Sequence, residues 1–267
     1  MRRSCGLLVA VFLALALPAA AVKVCVVVTT SQARGAAARA GKDVSVLAFD
    51  RARLADPLEK GRFLAALQAS DRVIAVADGQ ACGWLGREVD GVAVSCVMPY
   101  DAAQILDFAR SVGWSRIAAV HMTGYEKVYA RLRILARARD IELDSVRLVG
   151  TRDLTRALPR ALETAKAVWI LGDTRLTEGA AFDHLIEATL PRRIPLIVPD
   201  SGLVARGAFL GSEVDRSALT RHAVDAANLA AAGAPTVAAL TTAPGARLVI
   251  NRILARRWGV RVPGEAR

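Results

Sequence analysis

Four apolar runs in the sequence each end in a short turn of polar residues and glycine. The four turns are Asp78-Gly79-Gln80, Thr123-Gly124-Tyr125, Gly172-Asp173-Thr174 and Asp200-Ser201. Carboxylates, hydroxyls and backbone amides of this kind can hydrogen bond to a small polar ligand without any bond-making chemistry. Taken singly, the same residue types also serve as helix caps and turn residues. Their recurrence after four runs favours a shared binding cleft.

Patterns typical of catalysis are missing from the sequence or fail on spacing. Residues 35–43 resemble a phosphate-binding loop, but the two glycines are one residue too far apart and Asp43 replaces the required hydroxyl residue. No Gly-x-Ser-x-Gly occurs, and the three histidines are too widely spaced for a metal-ligand motif. We therefore expect no catalytic residue, metal or cofactor. A hydrolase that uses Asp173 or Asp200 is an alternative, but it lacks an activated nucleophile.

The elements that would position the four turns alternate regularly along the chain. Short β-branched runs are separated by amphipathic helical patterns, which is typical of parallel strands buried under helices on both faces. The predicted strands are 24–28, 44–48, 73–76, 92–97, 117–120, 143–149, 167–171 and 194–198. The sequence therefore predicts an α/β fold class. Ligands bind such sheets outside the carboxyl ends of the strands, which is where the four turns lie.

The regular alternation of apolar runs and helical patterns changes after residue 198. It predicts a strand at 208–211, a long alanine-rich helix at 216–232, and a closing strand at 248–251 that leads into a last helix. Near Met98 a new series of strands and helices begins, with Asp101 as a helix cap. This change predicts a boundary between two lobes of about 100 residues each.

Residues 1–21 have the features of a secretory signal peptide. Arg2 and Arg3 precede an apolar stretch at 7–17, and small residues follow Pro18. The apolar stretch is shorter than the roughly 20 residues of a membrane span, so a retained anchor is the less favoured alternative. We expect export to the periplasm as a soluble monomer.

Cysteine content and charge narrow the class of partner. Cys5 lies within the signal peptide, and an odd number of cysteines remains. Cys82 and Cys96 could pair, but buried free thiols are the favoured interpretation. The formal net charge is +11, yet the cations are scattered among helix positions and form no nucleic-acid-binding module. We expect a solvated basic surface and no nucleic-acid partner, with an anionic partner such as the inner-membrane surface as the alternative.

The C-terminal part of the chain resembles a known family. The segment IPLIVPDSGLVARGAFLGSEVDRSALTRHAVDAANLAAAG, followed by ARLVINRILARRWGVRVP, is similar to the substrate-binding proteins of ABC transporters that have the type I periplasmic-binding-protein fold. In that family a strand ends in an Asp/Ser turn, a short helix leads to a Gly-Ala strand, and a long helix begins after an acidic residue. The segment WSRIAAVHMTGYEKVYARLRILARARDIEL extends the resemblance, which covers residues 94–262.

The resemblance implies two Rossmann-like lobes with parallel sheets flanked by helices, joined by three hinge crossovers, with a ligand between them. Lobe 1 would comprise residues 22–98 plus 207–235, and lobe 2 residues 99–206 plus 236–267. The chain departs from the family after its first strand, because residues 30–41 leave room for about two helical turns where members carry a long helix. One wall of the ligand site is therefore expected to be short.

The resemblance also implies a function in binding rather than catalysis. The protein would bind a small polar or amino-acid-like ligand and present it to the membrane permease of an ABC-type importer. An envelope sensor or adaptor that uses the same fold to engage a membrane partner is the alternative, favoured by the shortened wall.

On this template Asp200 would bind a ligand ammonium, while Ser201, Thr174 and the amides around Gly124 would donate to a carboxylate. Tyr100 or Tyr125 would form a stacking wall. The remaining ligand-binding candidates are Ser31, Asp78, Gly79, Gln80, Thr123 and Asp173.

Overall fold

Two β-sheets with helices packed against them make up the described part of the chain. The structure, a computed structural model, describes residues 22–50, 52–76, 84–85, 88, 93–98, 100–233 and 245–263. Strands occur within or beside every one of the eight predicted apolar runs. The α/β fold class predicted from the alternating pattern is confirmed.

The first sheet contains four parallel strands in the order β2-β1-β3-β4. Its strands are β1 (Val24–Thr29), β2 (Val44–Phe49), β3 (Arg72–Val76) and β4 (Ala93–Val97). Helix α1 (Thr30–Ala37) follows β1 and has the two turns that the sequence allows. Helix α2 (Pro57–Gln68) begins after Asp56, whose carboxylate accepts a hydrogen bond from the Leu58 amide at 2.7 Å.

Burial on both faces explains why the strands of this sheet are continuously apolar. Val26 and Val28 of β1 lie in a cluster on one face, while Cys25 and Val27 lie in a second cluster with Phe63 of α2. Cys25 is a free thiol, and burial raises its pKa to about 11. This thiol is therefore protonated and fills space as a small apolar side chain.

The second sheet contains six strands in the order β10-β9-β8-β7-β5-β6, with β10 antiparallel to β9 and the other pairs parallel. Its strands are β5 (Arg116–Met122), β6 (Glu142–Leu148), β7 (Ala167–Ile170), β8 (Leu196–Ile197), β9 (Leu210–Glu213) and β10 (Arg247–Ile250). The later helices are α3 (Ala102–Ser111), α4 (Glu126–Arg137), α5 (Leu154–Leu162), α6 (Thr174–Thr177), α7 (Gly179–Thr189), α8 (Arg216–Ala231) and α9 (Arg252–Trp258).

A chain of packed aromatic rings connects α3 to α9 in the second lobe. Trp114 packs edge-on against Phe108 and against Phe209, with ring centroids 5.5 Å apart in both pairs. Phe209 in turn stacks on Trp258 of α9 at 5.6 Å. Large buried aromatic surfaces of this kind stabilise a core strongly. They anchor the last helix to the sheet that carries most of the polar turns.

Within the described residues, the chain changes sheet three times. It passes to the second sheet between β4 and α3, returns to the first at α8, and reaches the second again at β10. Helix α8 belongs with the first lobe because its buried face, including Leu219, Ala223 and Ala227, lies in one hydrophobic cluster with β1 and β3. This arrangement is the one that the resemblance implies.

The position of the second crossing differs from the predicted domain limits. The family resemblance implies that residues 207–235 belong to lobe 1, but β9 lies in the second sheet, where Leu210 pairs with Ile197 of β8. Gly207 turns the chain with a φ of +107°, and Phe209 is buried in the second core. The turn at Arg206 is therefore internal to lobe 2, and the crossing follows Glu213.

None of the helices in the described part of the chain has the length and apolar character needed to span a bilayer. Within the same residues, no group of three or more His, Cys, Asp or Glu side chains is arranged to hold a metal ion.

Candidate functional site

A cavity of about 430 Å³ lies where the two sheets meet. Gln32 of α1 and Val76 at the end of β3 line it from the first lobe. Thr174 and Asp200, which follow β7 and β8, line it from the second lobe. Cavities that bind small molecules commonly have volumes of about 300–1,000 Å³. The cavity therefore lies at the carboxyl ends of strands from both sheets and has room for a small ligand.

The turn at Asp200 forms one polar wall of this cavity. Asp200 Oδ1 accepts a hydrogen bond from the Gly202 amide at 2.7 Å, which holds the short helical turn Ser201–Leu203 in place. Asp200 Oδ2 lies 3.6 Å from Nη2 of Arg216, and the Asp200 side chain is 54% exposed. Oδ1 therefore stabilises the turn, while Oδ2 faces the Arg216 guanidinium on the other side of the crossing between the lobes.

Gly211 of β9 allows the Asp200 turn to lie directly against the sheet. A Cβ at this position would lie 2.8 Å from the backbone oxygen of Asp200, 2.9 Å from Cα of Ser201 and 2.9 Å from Val204. Contacts this short do not occur at real Cβ atoms, so the absence of a side chain is what permits the approach. Gly211 therefore positions the two predicted ligand-binding residues of the turn.

The segment that crosses from β9 to α8 forms the next wall. Arg216 is the first residue of α8, whose N-cap Asp215 accepts the Ser217 amide at 2.8 Å. The backbone oxygen of Arg216 accepts a hydrogen bond from Nε2 of Gln32 at 3.3 Å. This bond links α1 to the start of α8. The Arg216 side chain, 73% exposed, lines the cavity.

Ser212 of β9 also lines the cavity and is 3% exposed. Its hydroxyl is buried and has no hydrogen-bond partner within the described residues. A buried hydroxyl without a partner costs free energy, so such groups are rare in native proteins. Ser212 therefore has a hydrogen-bonding capacity beside the cavity that no described residue uses.

No protein-family model matches the chain, and no curated protein matches it in sequence. Among solved structures, an ABC domain in complex with L-Trp from Streptococcus pneumoniae superposes with a TM-score of 0.55 at 14% identity, over 91% of this chain and 96% of that chain. A conserved domain protein from Vibrio cholerae O1 biovar El Tor superposes with a TM-score of 0.53 at 16% identity, also over 91% and 96% of the two chains.

The chain has the type I periplasmic-binding-protein fold. The expectation drawn from residues 94–262 is thereby confirmed for the fold. The cavity lies in the gap between the two lobes of this fold.

Three of the predicted ligand-binding residues are brought together in the interlobe cavity of this fold: Thr174, Asp200 and Ser201. Asp173 lies beside them but is held by the protein. Its carboxylate makes a bidentate contact with Arg175, at 2.9 Å to Nε and 2.7 Å to Nη2, and it is 1% exposed. The hydrogen bonds that Arg175 donates to Asp173 raise the pKa of Arg175, so its guanidinium stays charged. Asp173 organises the turn into α6 rather than facing the cavity.

Tyr100 lies inside the core of the second lobe. Its ring packs against Trp169 with centroids 5.5 Å apart, behind Gly172, whose absent Cβ would lie 3.9 Å from the Tyr100 ring. The Tyr100 hydroxyl has no partner among the described residues, and burial raises its pKa. In this conformation Tyr100 supports the cavity floor beneath Gly172, which differs from the predicted stacking wall.

The polar groups of the turn after β5 are hydrogen bonded within the protein. Thr123 donates from its amide and its hydroxyl to the Leu148 carbonyl at 2.9 and 3.2 Å. The Gly124 amide donates to Glu126 at 2.8 Å, and the Tyr125 side chain is fully buried. The amide proposed from the sequence as a carboxylate donor is therefore engaged within the turn.

Only part of the predicted first-lobe wall lies within the described residues. Ser31 is an exposed residue of α1, next to the cavity-lining Gln32. Asp78, Gly79 and Gln80 lie outside the described residues, as does Cys82, so the choice between free thiols and a Cys82–Cys96 pair stays open. Ligand contacts by these residues remain predictions.

Sequence reasoning missed Gln32, Ser212 and Arg216. Arg216 stands directly after a helix N-cap at the start of the long alanine-rich helix, a pattern that marks the helix start without indicating which cavity it faces. Ser212 lies in a strand whose lobe was assigned incorrectly from the sequence. No local sequence feature identifies either residue as part of the site.

Proposed function

We propose that this protein is an exported solute-binding protein that closes its two lobes on a small polar or amino-acid-like ligand. The observation that carries the proposal is the interlobe cavity of about 430 Å³, with Asp200 and Arg216 at its wall. Contacts from both lobes are available to a ligand only when the lobes approach each other. Binding would therefore favour a closed conformation.

Asp200 supports a polar, amine-bearing ligand because half of its side chain is exposed within a cavity that is otherwise partly apolar. Ser201 and Thr174 supply hydroxyls at the same wall. The structurally similar ABC domain from Streptococcus pneumoniae is in complex with L-Trp. That similarity supports a ligand of the amino-acid class for this protein.

Export and delivery complete the proposal. Residues 1–21 would direct the chain to the periplasm, where it would act as a monomer and present its ligand to the membrane permease of an ABC-type importer. The function requires no catalytic residue and no cofactor.

Thermal-shift measurements on the mature protein, residues 22–267, test the proposal. The panel contains L-amino acids, nucleosides, sugars and small anions. A ligand at 100 times its Kd stabilises a protein by about 2.7 kcal/mol, which corresponds to a rise of roughly 5–10 °C in Tm for a chain of this size. We expect such a rise with at least one member of the panel and its loss in Asp200→Ala.

The matched control is Asp107→Ala. Asp107 also pairs with an arginine, Arg139, at 2.7 Å on the protein surface, but it lies in α3 and does not line the cavity. It should retain the full ligand-induced shift. An Asp200→Ala variant that retained the full shift would remove Asp200 from the site, and a wild-type protein without any shift would contradict solute binding.

The second candidate is an envelope sensor or adaptor with the same fold. The eight-residue α1 favours it, because a short helix after β1 lowers one wall of the ligand site. Cross-linking in intact cells separates the two functions. Capture of a permease supports transport, and capture of a sensor kinase or an outer-membrane assembly protein supports the adaptor.

A further inference from the structure

The ion pair between Asp200 and Arg216 joins the two lobes at the cavity. Asp200 follows β8 of the second sheet, whereas Arg216 begins α8, which packs against the first sheet. Their side chains are 54% and 73% exposed, and the nearest N and O atoms are 3.6 Å apart. A pair this long and this exposed contributes little to stability. A ligand can therefore replace either partner of this ion pair at a small cost in free energy.

Arg216 is the cation that the described part of the cavity wall leaves available to an anion. The other cation of this wall, Arg206, is engaged by the protein. It donates to the Thr177 carbonyl at 3.3 Å and to Asp183 at 3.2 Å, and its guanidinium lies 4.5 Å from the centre of the Phe182 ring. An incoming carboxylate would have to break these contacts at Arg206 but only one weak ion pair at Arg216.

Ser212 provides an independent sign of a ligand at this wall. It is 3% exposed, it lines the cavity, and its hydroxyl is unpartnered within the described residues. It lies in β9, the strand that leads into the crossing to Arg216. The unused hydroxyl donor is therefore expected to pair with a ligand oxygen when the cleft closes on the ligand.

We propose, building on the solute-binding function above, that the ligand is a free α-amino acid that inserts into the Asp200–Arg216 pair. The ammonium binds Asp200, the carboxylate binds Arg216, and the Ser212 hydroxyl is a further donor to the carboxylate. The exchange conserves charge, because each end of the zwitterion replaces one partner of the pair. A ligand with one charge leaves either Asp200 or Arg216 unpaired in the closed cleft, which disfavours it.

Calorimetric titration of the mature protein tests this assignment. The probes are the L-amino acids and, for each that binds, its carboxamide and its N-acetyl derivative, which keep only the ammonium or only the carboxylate. For the wild type we expect both derivatives to bind about 30-fold or more weakly than the free amino acid. Arg216→Gln should weaken the free amino acid by a similar factor but should bind the carboxamide better than the wild type does, because Asp200 has lost its competitor.

Two further variants complete the design. Ser212→Ala should weaken the free amino acid by about threefold to tenfold, the effect of one hydrogen bond. Arg139→Gln, which removes the guanidinium of the surface pair with Asp107, should bind like the wild type. Unfolding without ligand confirms that each variant is folded.

The outcomes separate this inference from the proposed function. If the wild type binds an amino acid and Arg216→Gln binds it equally well, the inference is overturned and solute binding stands. The same holds if the wild type binds a sugar, a nucleoside or an inorganic anion but no amino acid. If the wild type binds no member of the panel, both proposals are overturned.

Discussion

Two aspartates that follow neighbouring strands show how local contacts decide the availability of a side chain. Asp173 is 1% exposed, and both of its oxygens bind the adjacent Arg175. Asp200 is more than half exposed in its side chain and has one oxygen directed to a weak ion pair. The same residue type at equivalent positions thus organises a turn in one case and offers a binding group in the other.

Gly211→Ala tests how the Asp200 turn is held. The added Cβ would meet backbone atoms of Asp200 and Ser201 at 2.8 and 2.9 Å, so the turn must move away from β9. We expect a loss of about 1–3 kcal/mol in the free energy of unfolding, typical of overpacking, and weaker binding of any ligand that requires Asp200. Chemical denaturation and titration measure the two effects.

Gly61→Ala is the matched control for Gly211→Ala. Gly61 lies in α2 with no atom within 4 Å of the position of a Cβ. Alanine there should raise the free energy of unfolding by about 0.5–1 kcal/mol. If Gly211→Ala were as stable as Gly61→Ala, the close packing of the turn on β9 would be refuted.

At the scale of elements, β5, β6 and α4 enclose a buried histidine. His121 at the end of β5 is 2% exposed, its Nε2 lies 2.8 Å from the Ser145 hydroxyl of β6, and its ring stacks on Tyr129 of α4 at 5.3 Å. Burial lowers its pKa, against smaller opposing effects of the Met122 carbonyl and Glu126. These contacts make His121 a structural residue.

His121 should make the protein less stable in mild acid. Because its pKa is lower in the folded state than the ordinary value of about 6.5, the unfolded chain binds the proton more readily. The free energy of unfolding should therefore fall as the pH drops below about 6.5, until the folded-state pKa is passed. Urea unfolding at a series of pH values measures this dependence. His121→Gln should show a shallower decrease, and an unchanged slope would contradict the assignment.

At the scale of the whole molecule, the three crossings place the cavity between two separately packed cores. The second core contains the aromatic chain from Trp114 to Trp258, while the first contains α8 against β1 and β3. The segment at 214–215 joins them next to the cavity. A ligand in the cavity therefore contacts the two bodies and the chain that connects them.

Closure on the ligand should be visible in solution. We expect small-angle X-ray scattering of the mature protein to give a smaller radius of gyration with the panel member that produces the largest thermal shift. Asp200→Ala should show no change at the same ligand concentration. An identical radius with and without bound ligand would contradict lobe closure, although it would leave ligand binding itself unaffected.

Local patterns account for much of the architecture. The β-branched runs predicted the strands because each strand needs an apolar side chain on both faces of a covered sheet. Asp101 and the alanine-rich helix at 216–232 were predicted from capping and periodicity, and the observed bounds Ala102–Ser111 and Arg216–Ala231 agree closely. The boundary at residue 207 was misplaced, because a glycine turn inside a lobe and a hinge between lobes have the same sequence signature.

Local sequence patterns predict the α/β class, the order of the elements and the strand ends at which a site could form. These features depend on neighbouring residues and on the periodicity of apolar residues, both of which can be read from the order of residues in the chain. Only the tertiary structure decided which polar turns share a cavity. In the folded protein, Arg216, Ser212 and Gln32 line the same cavity as Asp200. Gly124 and Asp173 instead hydrogen bond to Glu126 and Arg175, which lie two residues further along the chain. Such choices depend on contacts between residues far apart in the chain, and no local pattern encodes them.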